Sequence, residues 1–195
     1  MRILYFSRDY TPHDHRFLKA LGESGHEIVF LRLEKSEKAH EDRPVPDRAR
    51  IVTWAGGTRP ITLKDGPRLW WDLKRVIREV QPEIIHAGPV QRSAFLAALA
   101  GFRPLVSMSW GYDLLLDARR SRWWEWATRF TLKRSAVFVG DCQTIRNLAV
   151  DYGMDPGRIL SFPWGVDLEH FQPYPAGIHP LRERLGWGTD TLVIL

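Results

Sequence analysis

Seven short apolar runs punctuate this chain of 195 residues, each parted from the next by helix-spaced or turn-forming residues. They are Arg2 to Ser7, Ile28 to Leu33, Ile51 to Trp54, the pair Ile84 and Ile85, Leu105 to Met108, Ala136 to Val139 and Ile159 to Phe162. Each is too short for a core helix and too apolar for a surface loop, which is the profile of a strand buried on both faces. Phe17, Leu18 and Leu21 recur at helical spacing before Gly22 and Gly25, which predict the stop. Pro67 opens a helix with a stripe of Leu69, Leu73, Val76, Ile77 and Val80, and Pro82 ends it. Ser93 to Ala100, Arg122 to Lys133 and Thr144 to Tyr152 complete the helices, with Glu34 to Arg50 a charged surface connection. Strands alternating with helices predict an α/β fold, a doubly wound parallel sheet covered on both faces.

Composition narrows the function classes. The single cysteine, Cys142, excludes an intrachain disulfide framework and suits the reducing cytoplasm. No apolar run approaches the roughly 20 residues that cross a bilayer, and Met1 runs straight into a strand without a leader, so a cytoplasmic location is expected. A net charge of +5 draws anions. Without zinc-finger spacing, an RNP-like strand or a long basic run, nucleic acid is not the expected partner. The dinucleotide fingerprint G-x-G-x-x-G is missing as well, which argues against a nicotinamide enzyme. Nine tryptophans leave three uses open: filling a core, lining a sugar site or sitting at a lipid interface.

Open α/β sheets bind ligands at the carboxyl ends of their strands, and three strand ends carry chemistry. After the first come Asp9, Tyr10, His13, His15 and Arg16; the alternative is a polar loop capped by Asp14. His13 and His15 have no third ligand in view, so no metal is expected. His86 ends the fourth run; it either meets a sugar hydroxyl as donor or base, or is satisfied by neighbouring backbone. After the fifth run come Trp110, able to stack on a sugar ring, then Gly111 and Asp113, the last an acceptor ligand, a base or a turn cap. Arg119 to Arg134 combines six basic residues with Trp123, Trp124 and Trp126. It reads either as a headgroup-level membrane contact or as a helix buried on one side. Cys142 reads as a small buried or half-buried residue.

Residues 158–173 join a strand to Pro163, Gly165 and Asp167 in a fixed-shape loop. The segment resembles the Pro-Asn-Gly-Val-Asp signature of family 4 glycosyltransferases, with Trp164 in place of Asn. Ser109 to Asp113 is similar to that family's His-Gly-x-Asp segment: Gly111 and Asp113 match, and Trp110 replaces His. With the first strand and the Gly25 to Ile28 turn, the resemblance spans nearly the whole chain.

It implies the amino-terminal half of a GT-B fold, made of two Rossmann-like domains. Residues 1–173 would form the acceptor-binding domain, and 174–195 a linker helix and first strand of a truncated donor-binding domain. The implied reaction moves a hexose-type sugar from a nucleotide sugar to an acceptor hydroxyl, retaining configuration, with no metal or other cofactor, and this half alone would be inactive. By the same resemblance Asp113 and His86 would be catalytic. Asp9, Tyr10, His13, His15, Arg16, Gln91, Trp110 and Gly111 would bind substrate, and Trp164, Gly165 and Asp167 would border the interdomain cleft. The implied partners are a nucleotide sugar and a glycan or lipid-linked acceptor, with peripheral contact to the inner membrane face through Arg119 to Arg134. A sugar-nucleotide epimerase of the same fold, a non-catalytic glycan- or nucleotide-binding module and a peripheral membrane protein remain alternatives.

Overall fold

The computed structural model describes residues 1–195 except Asp167, His170, Phe171, 173–179, Thr189 and 193–195. Its sheet has seven parallel strands: β1 (Arg2–Ser7), β2 (Glu27–Arg32), β3 (Ala49–Ile51), β4 (Ile84–Gly88), β5 (Leu105–Met108), β6 (Val137–Gly140) and β7 (Ile159–Ser161). They lie in the order β3-β2-β1-β4-β5-β6-β7. The chain steps outward from β1 to β3, then returns to pair β4 with the free side of β1, Tyr5 beside His86. That reversal opens a crevice between the carboxyl ends of β1 and β4.

Alternation along the strands supplies two faces. Leu4, Phe6, Val29 and Leu31 pack on Leu69, Leu73, Val76 and Val80 of α2 (Gly66–Val80). On the other face Ile3, Tyr5, Ile28 and Phe30 pack on Leu18 of α1 (Pro12–Glu23). Each fully buried aliphatic or aromatic side chain contributes roughly 1.5–3 kcal/mol. α3 (Phe95–Leu99), α4 (Tyr112–Leu115), α5 (Arg122–Arg134) and α6 (Gln143–Asp151) follow β4, β5 and β6. Phe138 of β6 anchors a further core with Leu132, Ile145 and Leu148.

Five local features depart from the sequence reading. The third strand spans Ala49–Ile51 and ends where the expected run from Ile51 to Trp54 begins. α1 begins at Pro12 instead of Phe17, because Thr11 accepts from the Asp14 N–H while the Asp14 carboxylate accepts from the Thr11 N–H. Thr11, not Asp14, is therefore the cap residue, and His13, His15 and Arg16 are helical. Gly22 lies inside α1, and Gly25 makes the left-handed turn after it at φ +78°. β4 runs two residues beyond His86, so that histidine sits within a strand. The expected helix from Ser93 is a π turn, Val90–Ala94, running into α3.

The chain forms two compact units, Met1–Trp164 and Gly165–Leu195. The boundary expected at 173 and the strand expected at the end of 174–195, from Leu192 to Leu195, fall mainly outside the described residues. Within the second unit, α7 (Pro180–Leu185) lies in the expected linker.

Candidate functional site

The crevice loops are tied to one carboxylate. Asp113 is 0% exposed, and its oxygens accept from the Val90 N–H at 2.9 Å, the Trp110 N–H at 3.1 Å, the Leu114 N–H at 3.0 Å and the Ser109 hydroxyl at 2.5 Å. Burial pushes its pKa up to about 6, against the pull of those four donors. Gly111 makes the turn possible, at φ +86°, and its N–H donates to Ser109 Oγ at 3.0 Å. Gln91 is equally enclosed: its Nε2 donates to the Asp113 carbonyl at 2.8 Å and to Thr128 Oγ1 at 2.7 Å. Asp113 and Gln91 thus shape the site from inside the protein, and Gly111 stands half-buried at the turn.

Around the rim stands an aromatic group. The His13 ring lies 5.5 Å from Trp110 and 6.2 Å from Trp164, and the two indoles are 6.2 Å apart. Phe17 and Phe162 close on Trp164 at 5.4 and 5.5 Å. Arg16 donates to His13 Nδ1 at 2.8 Å, which leaves the imidazole proton on Nε2. Burial first, and the Arg16 charge second, lower the His13 pKa, so the ring is neutral at pH 7. Beneath this rim His86 packs edge-on to Tyr5 and Phe17, and its Nε2 is sealed with no hydrogen-bond partner among the described residues. Burial pushes its pKa down to about 4.

The remaining sequence candidates have other partners or none described. Asp9 accepts from the Tyr10 and Ser36 N–H groups at 2.7 and 2.9 Å and lies 3.7 Å from Arg32. Tyr10 donates to the Pro44 carbonyl at 2.9 Å and meets His15 Nδ1 at 2.8 Å. These three side chains tack the long β2–β3 connection to the start of α1. Gly165 is exposed, with open space where a Cβ would stand. Asp167 lies outside the described residues. Cys142, expected to be buried or half-buried, is exposed ahead of α6.

A protein-family model described as Glycosyltransferase Family 4 matches residues 13–170, most of the chain. The chain belongs to glycosyltransferase family 4. No curated protein matches it in sequence. Among solved structures, Anabaena HepE in complex with UDP is 18% identical with a TM-score of 0.65, covering 95% of this chain and 50% of its own. Sucrose-phosphate synthase from Thermosynechococcus elongatus is 12% identical with a TM-score of 0.65, at 97% and 54% coverage. UDP-N-acetylglucosamine 2-epimerase from Rickettsia bellii is 15% identical with a TM-score of 0.57, at 83% and 44% coverage. These likenesses establish the GT-B-type Rossmann-like fold, and this family 4 chain spans about half the length of each of the three.

Three site features escaped the sequence reading. Phe17 and Phe162 complete the aromatic group, although their apolar character reads as core in a linear pattern. Asp141, at the end of β6, has a buried carboxylate oxygen without a partner among the described residues, and its charge reaches His13. A strand-end aspartate is the signal that could have marked it. No helix among the described residues is long and apolar enough to cross a membrane, and no group of three His, Cys, Asp or Glu is placed to hold a metal.

Proposed function

We propose that this chain is the acceptor-side half of a transferase that moves a hexose-type sugar from a nucleotide sugar to an acceptor hydroxyl, retaining anomeric configuration. The observation that carries the reading is the group of Trp110, Trp164 and His13 at the carboxyl edge of the sheet of a family 4 chain. Indole faces offer broad apolar surface to the C–H face of a sugar ring. His13 adds a neutral Nε2–H donor beside them, which suits a hydroxyl. His86 would be reached by substrate only if the rim opens, and its sealed nitrogen makes it the candidate polar contact at the bottom of the crevice. Asp113 is a positioning residue, acting through Trp110 and the turn at Val90.

The chemistry is proposed to need no metal, positive charge offsetting the departing diphosphate. It also requires both reactants in one frame, so residues 1–195 alone are expected to be silent. The test is turnover of UDP-, GDP- and ADP-sugars by the full gene product and by residues 1–195, each with Trp110→Ala alongside. Donor-specific transfer by the full product, sharply reduced in W110A, supports the reading. Turnover by residues 1–195 alone would refute the assignment of a half-site. Interconversion of the donor without any acceptor would assign an epimerase, and binding without turnover a non-catalytic module.

A further inference from the structure

On the face of the sheet away from α1, the sequence leaves a trench. α3 and the π turn before it use small side chains, Ala94, Ala97 and Ala98 all buried, so this segment is recessed between two bulkier neighbours. Trp70 of α2 forms one wall, and Trp123 and Trp124 of α5 the other, with Phe95 and Leu99 along the floor. The space enclosed is about 860 Å³, the size of a pocket for one small ligand.

The head of the trench is cationic. Arg92 and Arg120 lie over the same indole, Trp124, at 5.0 and 5.4 Å. Arg120 has a partner in Asp117 at 3.2 Å. Arg92 has no carboxylate partner among the described residues, and its Nε is buried without an acceptor. Beside it Gln91, 3% exposed and lining the trench, holds an Oε1 that is sealed and unpartnered, and Ser93 Oγ in the same turn is likewise unsatisfied. Gln91 Oε1 can only accept, but Arg92 Nε and Ser93 Oγ are unused donors; on a π turn, a geometry that recurs at functional sites, with two guanidinium groups on one indole, they mark a place suited to a polar group that carries negative charge.

We propose that the trench binds one anionic lipid, its phosphate head on Arg92 and Arg120 and its hydrocarbon chain between the tryptophans. The charge and the apolar walls together select this occupant: a free anion would leave the walls unused, and a neutral or cationic amphiphile would leave Arg92 unpaired. A bilayer would engage the exposed Leu116 and Trp126, 67% and 49% exposed, before a recessed guanidinium. The same turn begins at Val90, whose N–H is held by Asp113, so a seated head lies next to the scaffold of the crevice. Resting on the transferase reading above, this makes the lipid the carrier of the acceptor.

The probe is dodecyl phosphate below its micelle concentration, titrated into residues 1–195 and followed by tryptophan fluorescence, with no sugar donor present, so the outcome is independent of turnover. Saturable binding is expected, weakened about tenfold in R92A, the loss appropriate to one charge-assisted contact. R92K should recover part of it, and L99E, at an exposed floor position, should block the chain without disturbing the core. Dodecyltrimethylammonium and inorganic phosphate should each bind far more weakly. Equal binding of the cationic amphiphile, or R92A binding like the wild type, would overturn the proposal. So would flotation with phosphatidylcholine–phosphatidylglycerol vesicles that survives R92A while dodecyl phosphate fails to bind, which would assign a bilayer contact instead.

Discussion

The ring of His86 is held inside β4 by aromatic neighbours from two other elements. The strand-end pattern puts an imidazole near the crevice, but whether its nitrogen meets solvent, backbone or nothing depends on Tyr5 and Phe17, which reach it from two other elements. The unfolded chain takes up a proton there near pH 6.5 and the folded chain only near pH 4. Between those values the unfolded state holds more protons, so acidification lowers stability, by roughly 3 kcal/mol at pH 4. His86→Phe keeps an aromatic ring of similar shape and removes the proton site. Urea melts of the two proteins should converge near neutral pH and part as the pH falls, the variant becoming the more stable. Parallel pH curves would show that the buried, unpartnered Nε2 is not what the structure indicates. Asp14 and Asp113, both raised to about 6, act in the opposite sense but are common to both proteins and cancel in the difference.

At the scale of elements, the central strands were legible because burial on both faces leaves dense apolar runs; the edge strand β3, with Ile51 63% exposed, was placed too late in the chain, and helix starts depended on reciprocal hydrogen bonds that no hydrophobic period reports. The capping box at Thr11 moved α1 forward by five residues relative to the first apolar position, and the π turn replaced the regular start expected at Ser93. The Asp113 network was less legible still, since its donors come from the β4 turn, the β5 turn and α4. Its value is testable as architecture. Asp113→Ala leaves three backbone N–H groups and the Ser109 hydroxyl without their acceptor, at a cost of about 3 kcal/mol after local relaxation. For a chain of this size that lowers the melting temperature by roughly 6–12 °C, with Asp113→Asn intermediate because one oxygen remains. An unchanged melting temperature in calorimetry would mean that the carboxylate serves chemistry alone.

For the whole molecule, the three core clusters lie entirely within Met1–Trp164. A chain ending at Trp164 is therefore expected to fold by itself and to unfold in one cooperative transition, with a midpoint close to that of residues 1–195. Loss of cooperativity on removing residues 165–195 would contradict this. The order of the sheet carries a further consequence, for biosynthesis. Every strand after β1 pairs with a strand made before it: β2 and β4 with β1, β3 with β2, and β5, β6 and β7 each with its predecessor. A ribosome delivering this chain from its amino terminus never releases a strand whose template is still unmade. The sheet can grow outward from its own centre at the pace of translation, β1 alone standing without a partner until a later strand is made.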